Sequence, residues 1–325
     1  MATFDVFGMC NPLYDLQATV TDQLISDLEL EKGGMFLVDE HRQKQIIPLI
    51  YSDLVAAEPG GSGANTMTGI SQLGGRSCYA GRVGSDEHAL LYEQGLLAKG
   101  VASSLGHGHG TTGICLVLVT PDTQRTMCTF LGCSLELSPR DIKVDLLLAS
   151  KYLYVTAYLW DTDGQKEAVE FAMATAKKSG VRVSVSLSDP FCVNRHKTEL
   201  LELVDRHVDV ILGNRLEAQA LTDTDSPEDA ARVLAERTDI AVVTMDSAGS
   251  LICSGREVTH VPAVPTMPID TTGAGDMYAA GFLYGLTQGL DLAQCGHIAS
   301  SVASKTVSKF GPRLESVDLA GLITI

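Results

Sequence analysis

A chain of 325 residues with 45% hydrophobic and 20% charged side chains is long enough to bury a large core, and it fits one sizeable α/β domain or one domain with a small appendage. The formal net charge of −16 argues against a nucleic-acid surface, which needs clustered Lys and Arg. The longest apolar runs, Ile114 to Val119 and Val208 to Leu212, are too short to span a bilayer and read as buried strands.

In chain order, Phe4 to Gly8 and Ser77 to Val83 are predicted strands. Ser138-Pro139 pairs a cap with a proline at the first helical position and predicts a helix to Ala149. Lys151 to Thr156 is a strand, Asp163 to Ser179 a helix and Val181 to Leu187 a strand. Val208 to Leu212 is a strand, Glu217 to Leu221 begins a helix, and Ser226-Pro227 caps another to Arg237. Ile240 to Thr244 and Ser250 to Cys253 are strands, and Gly273 to Gln288 and Leu292 to Lys309 are two closing helices. This β-α alternation implies a mainly parallel sheet covered by helices on both faces.

Two stretches break the rhythm. Leu16 to Pro59 mixes short strands with two helical pieces. Thr111 to Leu131 reads as a hairpin of Gly113 to Val119 and Arg125 to Phe130, turned at Pro121-Asp122. The hairpin is expected to join the first stretch as a small sheet, a lid over one end of the main sheet. Segments of roughly 13–59 and 107–132 are thereby inserted in a single domain of 1–325.

The eight cysteines show no metal-ligand spacing and no Cys-x-x-Cys, so they read as reduced structural thiols. Met1-Ala-Thr-Phe-Asp lacks the basic and apolar regions of a secretory leader. Together these lead to an expected cytoplasmic location, with no membrane or nucleic-acid partner. His107 and His109 suit a solvated loop better than a metal site. Gly108-His-Gly110-Thr-Thr-Gly113 precedes a strand rather than opening a helix, so it lacks the dinucleotide-binding context. There is no Gly-x-x-x-x-Gly-Lys-Ser/Thr phosphate loop.

The segment Asp270-Thr271-Thr272-Gly273-Ala274-Gly275-Asp276 carries the chemistry. Small residues open a helix, so nothing bulky screens its first N–H groups from an anion. Asp276, in the first turn, is placed to take a proton from a hydroxyl beside a phosphate, and phosphoryl transfer needs chiefly such positioning and charge stabilisation. Read alone, the same residues also serve as a cap with glycines for close helix packing. Gly60-Gly61-Ser62-Gly63-Ala64-Asn65 permits close backbone approach to a ligand, but equally makes a strand-to-helix turn. Asn11 and Asp15 offer an amide and a carboxylate, or a loop with a helix cap. Asn214-Arg-Leu-Glu217 by itself is a capping-box variant. Arg125 is the candidate cation for a transferring phosphate, or a surface arginine on a strand edge.

In this order and at these spacings, the segments resemble the motifs of the PfkB, or ribokinase-like, family of sugar and nucleoside kinases over nearly the whole chain. The resemblance implies an ATP-dependent phosphotransferase with an alcohol acceptor and a ribokinase-like, doubly wound fold with a small β-sheet lid. It implies Asp276 as catalytic base, the N–H groups of Gly273, Ala274 and Gly275 as the anion hole, and Arg125 on the phosphate. Acceptor binding falls to Asn11, Asp15, Gly60, Gly61, Ser62 and Asn65. ATP falls to Asn214, Gly273, Gly275 and the turn Thr244-Met-Asp246-Ser-Ala-Gly249, with His297 to Ser301 closing the pocket. Glu217 is implied to organise Mg²⁺ through waters, and Asp270 and Thr272 are candidate ligands for K⁺. Both monomers and homodimers occur among relatives.

The acceptor is narrowed by departures from the ribose-kinase pattern, which has Asn-x-Asp and a lysine in the glycine loop. Here stand Asn11-x-x-x-Asp15 and Ser62, which resemble the adenosine-kinase branch. Leu187-Ser188-Asp189-Pro190-Phe191 is similar to that branch's Leu-Ser-Ala-Pro-Phe, with aspartate in place of alanine. Adenosine or a related purine nucleoside is therefore the expected acceptor, and Phe36, Leu37, Tyr158 and Trp160 are candidate walls for its base. A sugar such as ribose or fructose is the alternative. A noncatalytic nucleoside- or nucleotide-binding relative is the second.

Overall fold

The structure, a computed structural model, describes residues 2–314; Met1 and residues 315–325 of the expected 1–325 domain lie outside the described residues. The main sheet has nine strands in the spatial order Glu257–Val261, Ser250–Ser254, Ile240–Thr244, Val210–Asn214, Arg182–Ser186, Ser150–Thr156, Phe4–Met9, Ser77–Val83 and Ala102–His107. From Ile240–Thr244 onward all neighbours are parallel; only the first two strands of that order pair antiparallel.

Strand periodicity builds two cores. Val6, Tyr152, Tyr154, Val210, Leu212 and Val242 face one side. Phe7, Met9, Leu153, Val155, Ile211 and Val243, one residue out of step, face the other. The first face is covered by helices including Ser62–Gln72 and Ala274–Thr287, through Met67, Ile70, Ala280 and Phe282. The second is covered by Asp163–Lys178, Pro190–His207 and Pro227–Ala235, through Val169, Met173, Leu200 and Ala231.

The first strand of the chain lies between Ser150–Thr156 and Ser77–Val83. The chain winds outward from it one way and then returns to wind the other way. Such a reversal opens a crevice beyond the carboxyl ends of the strands, where ligands of open α/β sheets bind.

A second sheet has the order Met35–Leu37, Arg125–Phe130, Gly113–Val119, Leu13–Thr19 and Leu54–Gly60. The hairpin of Gly113–Val119 and Arg125–Phe130 belongs here and not to the main sheet. Leu13–Thr19 leaves the main sheet through Asn11-Pro12, and Leu54–Gly60 returns the chain into helix Ser62–Gln72. Both joints therefore sit at the crevice.

The helix expected over Ser138–Ala149 is instead a short 3-10 turn, Pro139–Asp141, and a one-turn helix, Val144–Leu148. The Asp141 carboxylate accepts from Ser138 N at 2.9 Å and pairs with Arg82 Nη1 at 2.6 Å. This pins the turn, and Ile142 leaves it in an extended conformation to enter the core. Among the described residues, no helix is long and apolar enough to cross a membrane.

Candidate active site

A cavity of about 890 Å³ opens between the ends of the main-sheet strands Phe4–Met9 and Ser150–Thr156 and the second sheet. Asn11, Asp15, Gly61, Ser62, Asn65, Thr272 and Asp276 all border it. Residues spread over most of the chain thus share one hollow.

Asp276 lies in the first turn of helix Ala274–Thr287. Ser62 Oγ donates to its Oδ1 at 2.5 Å, and Asn65 Nδ2 donates to its Oδ2 at 2.9 Å. Burial raises the Asp276 pKa above the usual aspartate value, while the Ser62 and Asn65 hydrogen bonds and the charge of Arg313 act the other way. The result is a carboxylate that is more basic than a solvated one and fixed in orientation. Gly273 caps the helix at φ 73°, and a Cβ there would overlap Pro312. A Cβ on Gly275 would meet only open space. The N–H groups of Gly275 and Asp276 have no acceptor among the described residues, as expected of the first turn of a helix.

Asp15, on strand Leu13–Thr19, packs its carboxylate directly over Gly60. Burial lifts the Asp15 pKa to about 7, with Glu58 and Asp276 adding to the rise and Arg313 and Arg125 opposing it. Any side chain at position 60 would occupy the carboxylate's place. We expect Gly60→Ala to displace Asp15 and raise the acceptor KM, with a stability loss of about 1–3 kcal/mol from overpacking; denaturant melts and initial-rate kinetics measure the two effects. Asn11 is buried, with Nδ2 donating to Tyr158 O at 3.2 Å and Oδ1 accepting from Gln165 Nε2 at 2.8 Å. Its amide orientation is thereby set by the turn Ala157–Trp160 after strand Ser150–Thr156 and by helix Asp163–Lys178.

Arg125 reaches from the second sheet to the loop before Gly273. Its Nη1 donates to Thr272 Oγ1 at 3.1 Å, and its Nη2 pairs with Asp270 Oδ2 at 2.5 Å. Asp270 also accepts from Thr272 N at 3.0 Å and Gly311 N at 2.8 Å.

The expected nucleotide residues form a separate group one step along the sheet. Asn214 and Thr244 are register partners at adjacent strand ends. Asn214 and Glu217 make a complete capping box: Asn214 Oδ1 accepts from Glu217 N at 2.9 Å, and Glu217 Oε2 accepts from Asn214 N at 2.9 Å. Burial raises the Glu217 pKa to about 7, with the negative charges of Asp189 and Asp276 contributing. Asp246 pairs with Arg215 at 3.3 Å, and Gly249, at φ 92°, lies where a Cβ would overlap Val261 O. Thr244, Asp246 and Gly249 do not border the large cavity.

Much of the remaining cavity lining is apolar, with Leu13, Phe36, Leu37, Met127, Leu131 and Tyr158 on it, alongside the polar Thr129, Asp161, Ser188, Asp189 and Arg195. Trp160 is not part of it. Its ring is buried in the core of the second face, and its Nε1 donates to Glu199 Oε2 at 2.6 Å. Phe191, from the segment Leu187–Phe191, does border the cavity. Asp189 there is the N-cap of helix Pro190–His207, accepting from Phe191 N at 2.7 Å.

Arg313 escaped the sequence reading. Its Nε donates to Asn65 Oδ1 at 2.8 Å, and its Nη2 donates to Pro59 O. It thus fixes the Asn65 amide so that Nδ2 faces Asp276. Gly311-Pro312, beyond the end of the last described helix at Val307, and the lone arginine after them give no local sign of this contact.

The model of the pfkB family carbohydrate kinases matches residues 49–318. A probable sugar kinase from Rhizobium etli CFN 42 superposes with a TM-score of 0.91 at 36% identity, covering 99% of this chain and 100% of its own. The adenosine kinase of Sinorhizobium meliloti superposes at 0.89 with 35% identity, over 99% of this chain and 98% of its own. The adenosine kinase of Saccharomyces cerevisiae is 27% identical, over 94% of this chain and 95% of its own. Agreement at this level, over nearly the full length, places the chain in the pfkB family of carbohydrate kinases, as an ATP-dependent kinase with an alcohol acceptor.

Proposed function

We propose that the acceptor is a purine nucleoside, adenosine first, phosphorylated on its 5′-hydroxyl with Asp276 as the base. The observation that carries this reading is the mixed lining of the cavity. Its lining combines a polar set, Asp15, Asn65 and Asp276, with an apolar set, Phe36, Leu37, Met127, Leu131 and Tyr158. Each hydroxyl of a bare sugar needs a polar partner on burial, and the apolar wall offers none. A nucleobase covers such a wall with an aromatic face. Phe36, Leu37 and Tyr158 are the expected walls that support this reading.

In the proposed reaction, Asp15 and Asn65 bind the ribose hydroxyls and Asn11 closes the pocket beside them. The 5′-oxygen then lies at Asp276, which takes its proton as the phosphoryl group transfers. The free N–H groups of Gly275 and Asp276 and the Arg125 guanidinium receive the charge on the phosphoryl oxygens. The turn from Thr244 to Gly249, with Asn214, is assigned to ATP. Mg²⁺ arriving with ATP would neutralise charge on its phosphates. Its fit rests on the donor set: the charges of Asp189 and Asp276 add to burial in raising the cost of ionising Glu217, and a dication relieves that excess of negative charge. Among the described residues no three acidic, His or Cys side chains form a ready metal cage. Glu217 would therefore act through water, with phosphate oxygens supplying direct ligands.

An ATP-consumption assay across nucleosides and sugars tests the acceptor. Adenosine should exceed ribose in kcat/KM by on the order of a hundredfold, the worth of burying a base on an apolar wall. Higher activity on ribose or fructose than on any nucleoside would transfer the assignment to a sugar, the reading favoured by the sugar-kinase neighbour.

The pH dependence is a further expectation. Asp15 can accept from two hydroxyls at once, with charge-assisted strength, when ionised, and its pKa is lifted to about 7. Acceptor kcat/KM should therefore rise from about pH 6 to about pH 8. In Asp15→Asn the rise attributable to this group should be absent; an unchanged profile would remove Asp15 from the acceptor site.

A further inference from the structure

We infer that the site carries its own monovalent cation: the Arg125 guanidinium occupies the oxygens of Asp270 and Thr272, so turnover does not require K⁺, and Asp270 is the positioning residue for Arg125. The family resemblance marks Asp270 and Thr272 as candidate K⁺ ligands, and their side chains do not fit that role here. Arg125 Nη2 is 2.5 Å from Asp270 Oδ2, and Nη1 is 3.1 Å from Thr272 Oγ1. The remaining capacity of the Asp270 carboxylate goes to Thr272 N and Gly311 N, at 3.0 and 2.8 Å. Its single negative charge is thus shared by a guanidinium and two N–H groups. A K⁺ ion at the same oxygens would sit against a fixed like charge.

The burial of the pair supports a built arrangement, because the Arg125 and Asp270 side chains are only 12% and 6% exposed. Asp270 is the rigid partner. Ile269 N and Asp270 N both donate to Val307 O, at 2.7 and 3.2 Å, so the loop is moored to the last helix. Arg125 comes from the second sheet, at the start of strand Arg125–Phe130. One N–H of Nη1 donates to Thr272, and the buried Nη2 makes the ion pair with Asp270. Nε and the second N–H of Nη1 remain for a phosphate, and the planar guanidinium allows both contacts at once. Thr272 also borders the cavity that Asp276 borders, so the held guanidinium sits beside the reacting end.

The test compares K⁺ with tetramethylammonium as sole monovalent cation, at constant ionic strength. Wild-type kcat/KM should agree within about twofold between the two salts, and the melting temperature with MgATP bound should be the same in both. In Arg125→Ala turnover should drop, and K⁺ but not tetramethylammonium should raise the melting temperature and recover part of the rate. Asp270→Asn should lower kcat on the order of tenfold with the ATP KM nearly unchanged. The double variant should lose no more than Arg125→Ala alone, since each change disables the same guanidinium. Saturable K⁺ activation of the wild type by about fivefold or more, or additive losses in the double variant, would overturn the inference. It rests on kinase activity and not on the identity of the acceptor. The melting experiments use no acceptor, so a wrong acceptor assignment leaves their outcome intact.

Discussion

Asp276→Asn should fold, bind ATP with near-wild-type affinity, and lose turnover by a factor on the order of a hundred or more. The substitution keeps the shape of the side chain. The amide oxygen can accept from Asn65 Nδ2, while the Ser62 hydroxyl, now 2.5 Å from Oδ1, can rotate to accept from the new NH₂ group. The local network therefore survives, and with it the first turn of helix Ala274–Thr287. What is lost is the ability to take a proton. The structure makes that capacity more than incidental: burial raises the Asp276 pKa, so the group is a stronger base than an exposed aspartate while its two donors hold it in place. In the proposed reading ATP affinity depends instead on the loop N–H groups and the Thr244 to Gly249 turn, which the change does not touch. Single-turnover kinetics separate the steps from one another. Near-normal transfer with intact ATP binding would show that Asp276 only caps and orders the helix.

The features legible in the sequence are those whose physics is local. Asp270 to Asp276 announces a helix start open to an anion because glycine spacing and an acid in the first turn act within one turn of chain. Asn214 and Glu217 are legible as a capping box for the same reason, and the structure contains that box in full. The succession of apolar strands and helical patterns also gives away a sheet covered on both faces, and the structure divides its residues between them, Val6, Tyr152 and Val210 on one and Phe7, Leu153 and Ile211 on the other. Contacts made across the fold are hidden. Arg313 meets Asn65 at a separation of 248 residues, and no pattern near either predicts it. The break at Ile142 depends on Arg82 pulling Asp141, again a partner from another strand. Trp160 reads as an aromatic wall by type, but the 3-10 turn Ala157–Trp160 directs Tyr158 to the cavity and Trp160 to the core. Residue type suggested chemistry, while the direction of each side chain was decided by packing.

Asp15→Ala should separate binding from folding with opposite signs. At the proposed acceptor end, the Asp15 carboxylate makes charge-assisted hydrogen bonds to vicinal ribose hydroxyls, each worth about 1.5–3 kcal/mol. Losing two of them lowers acceptor kcat/KM by on the order of a hundred- to a thousandfold, chiefly through KM. The ATP KM should hardly move. A deoxy acceptor lacking one of those hydroxyls should be strongly disfavoured by the wild type and far less so by the variant, because the two deletions remove the same contact. Stability should go the other way. The Asp15 pKa is about 7 in the fold against an ordinary aspartate value of 3.8. Between those values the folded state holds a proton that the unfolded chain has released, so the free energy of unfolding falls as pH rises through that window. Above pH 7 the ionised, buried carboxylate opposes folding of the free enzyme. Asp15→Ala should therefore melt at the same temperature as the wild type near pH 4 and at a higher one near pH 8, with no acceptor present. A residue kept for packing would lower the melting temperature when truncated, at either pH. A rise in stability accompanied by loss of acceptor binding is the pattern of a charge held in an unfavourable place because the substrate needs it there.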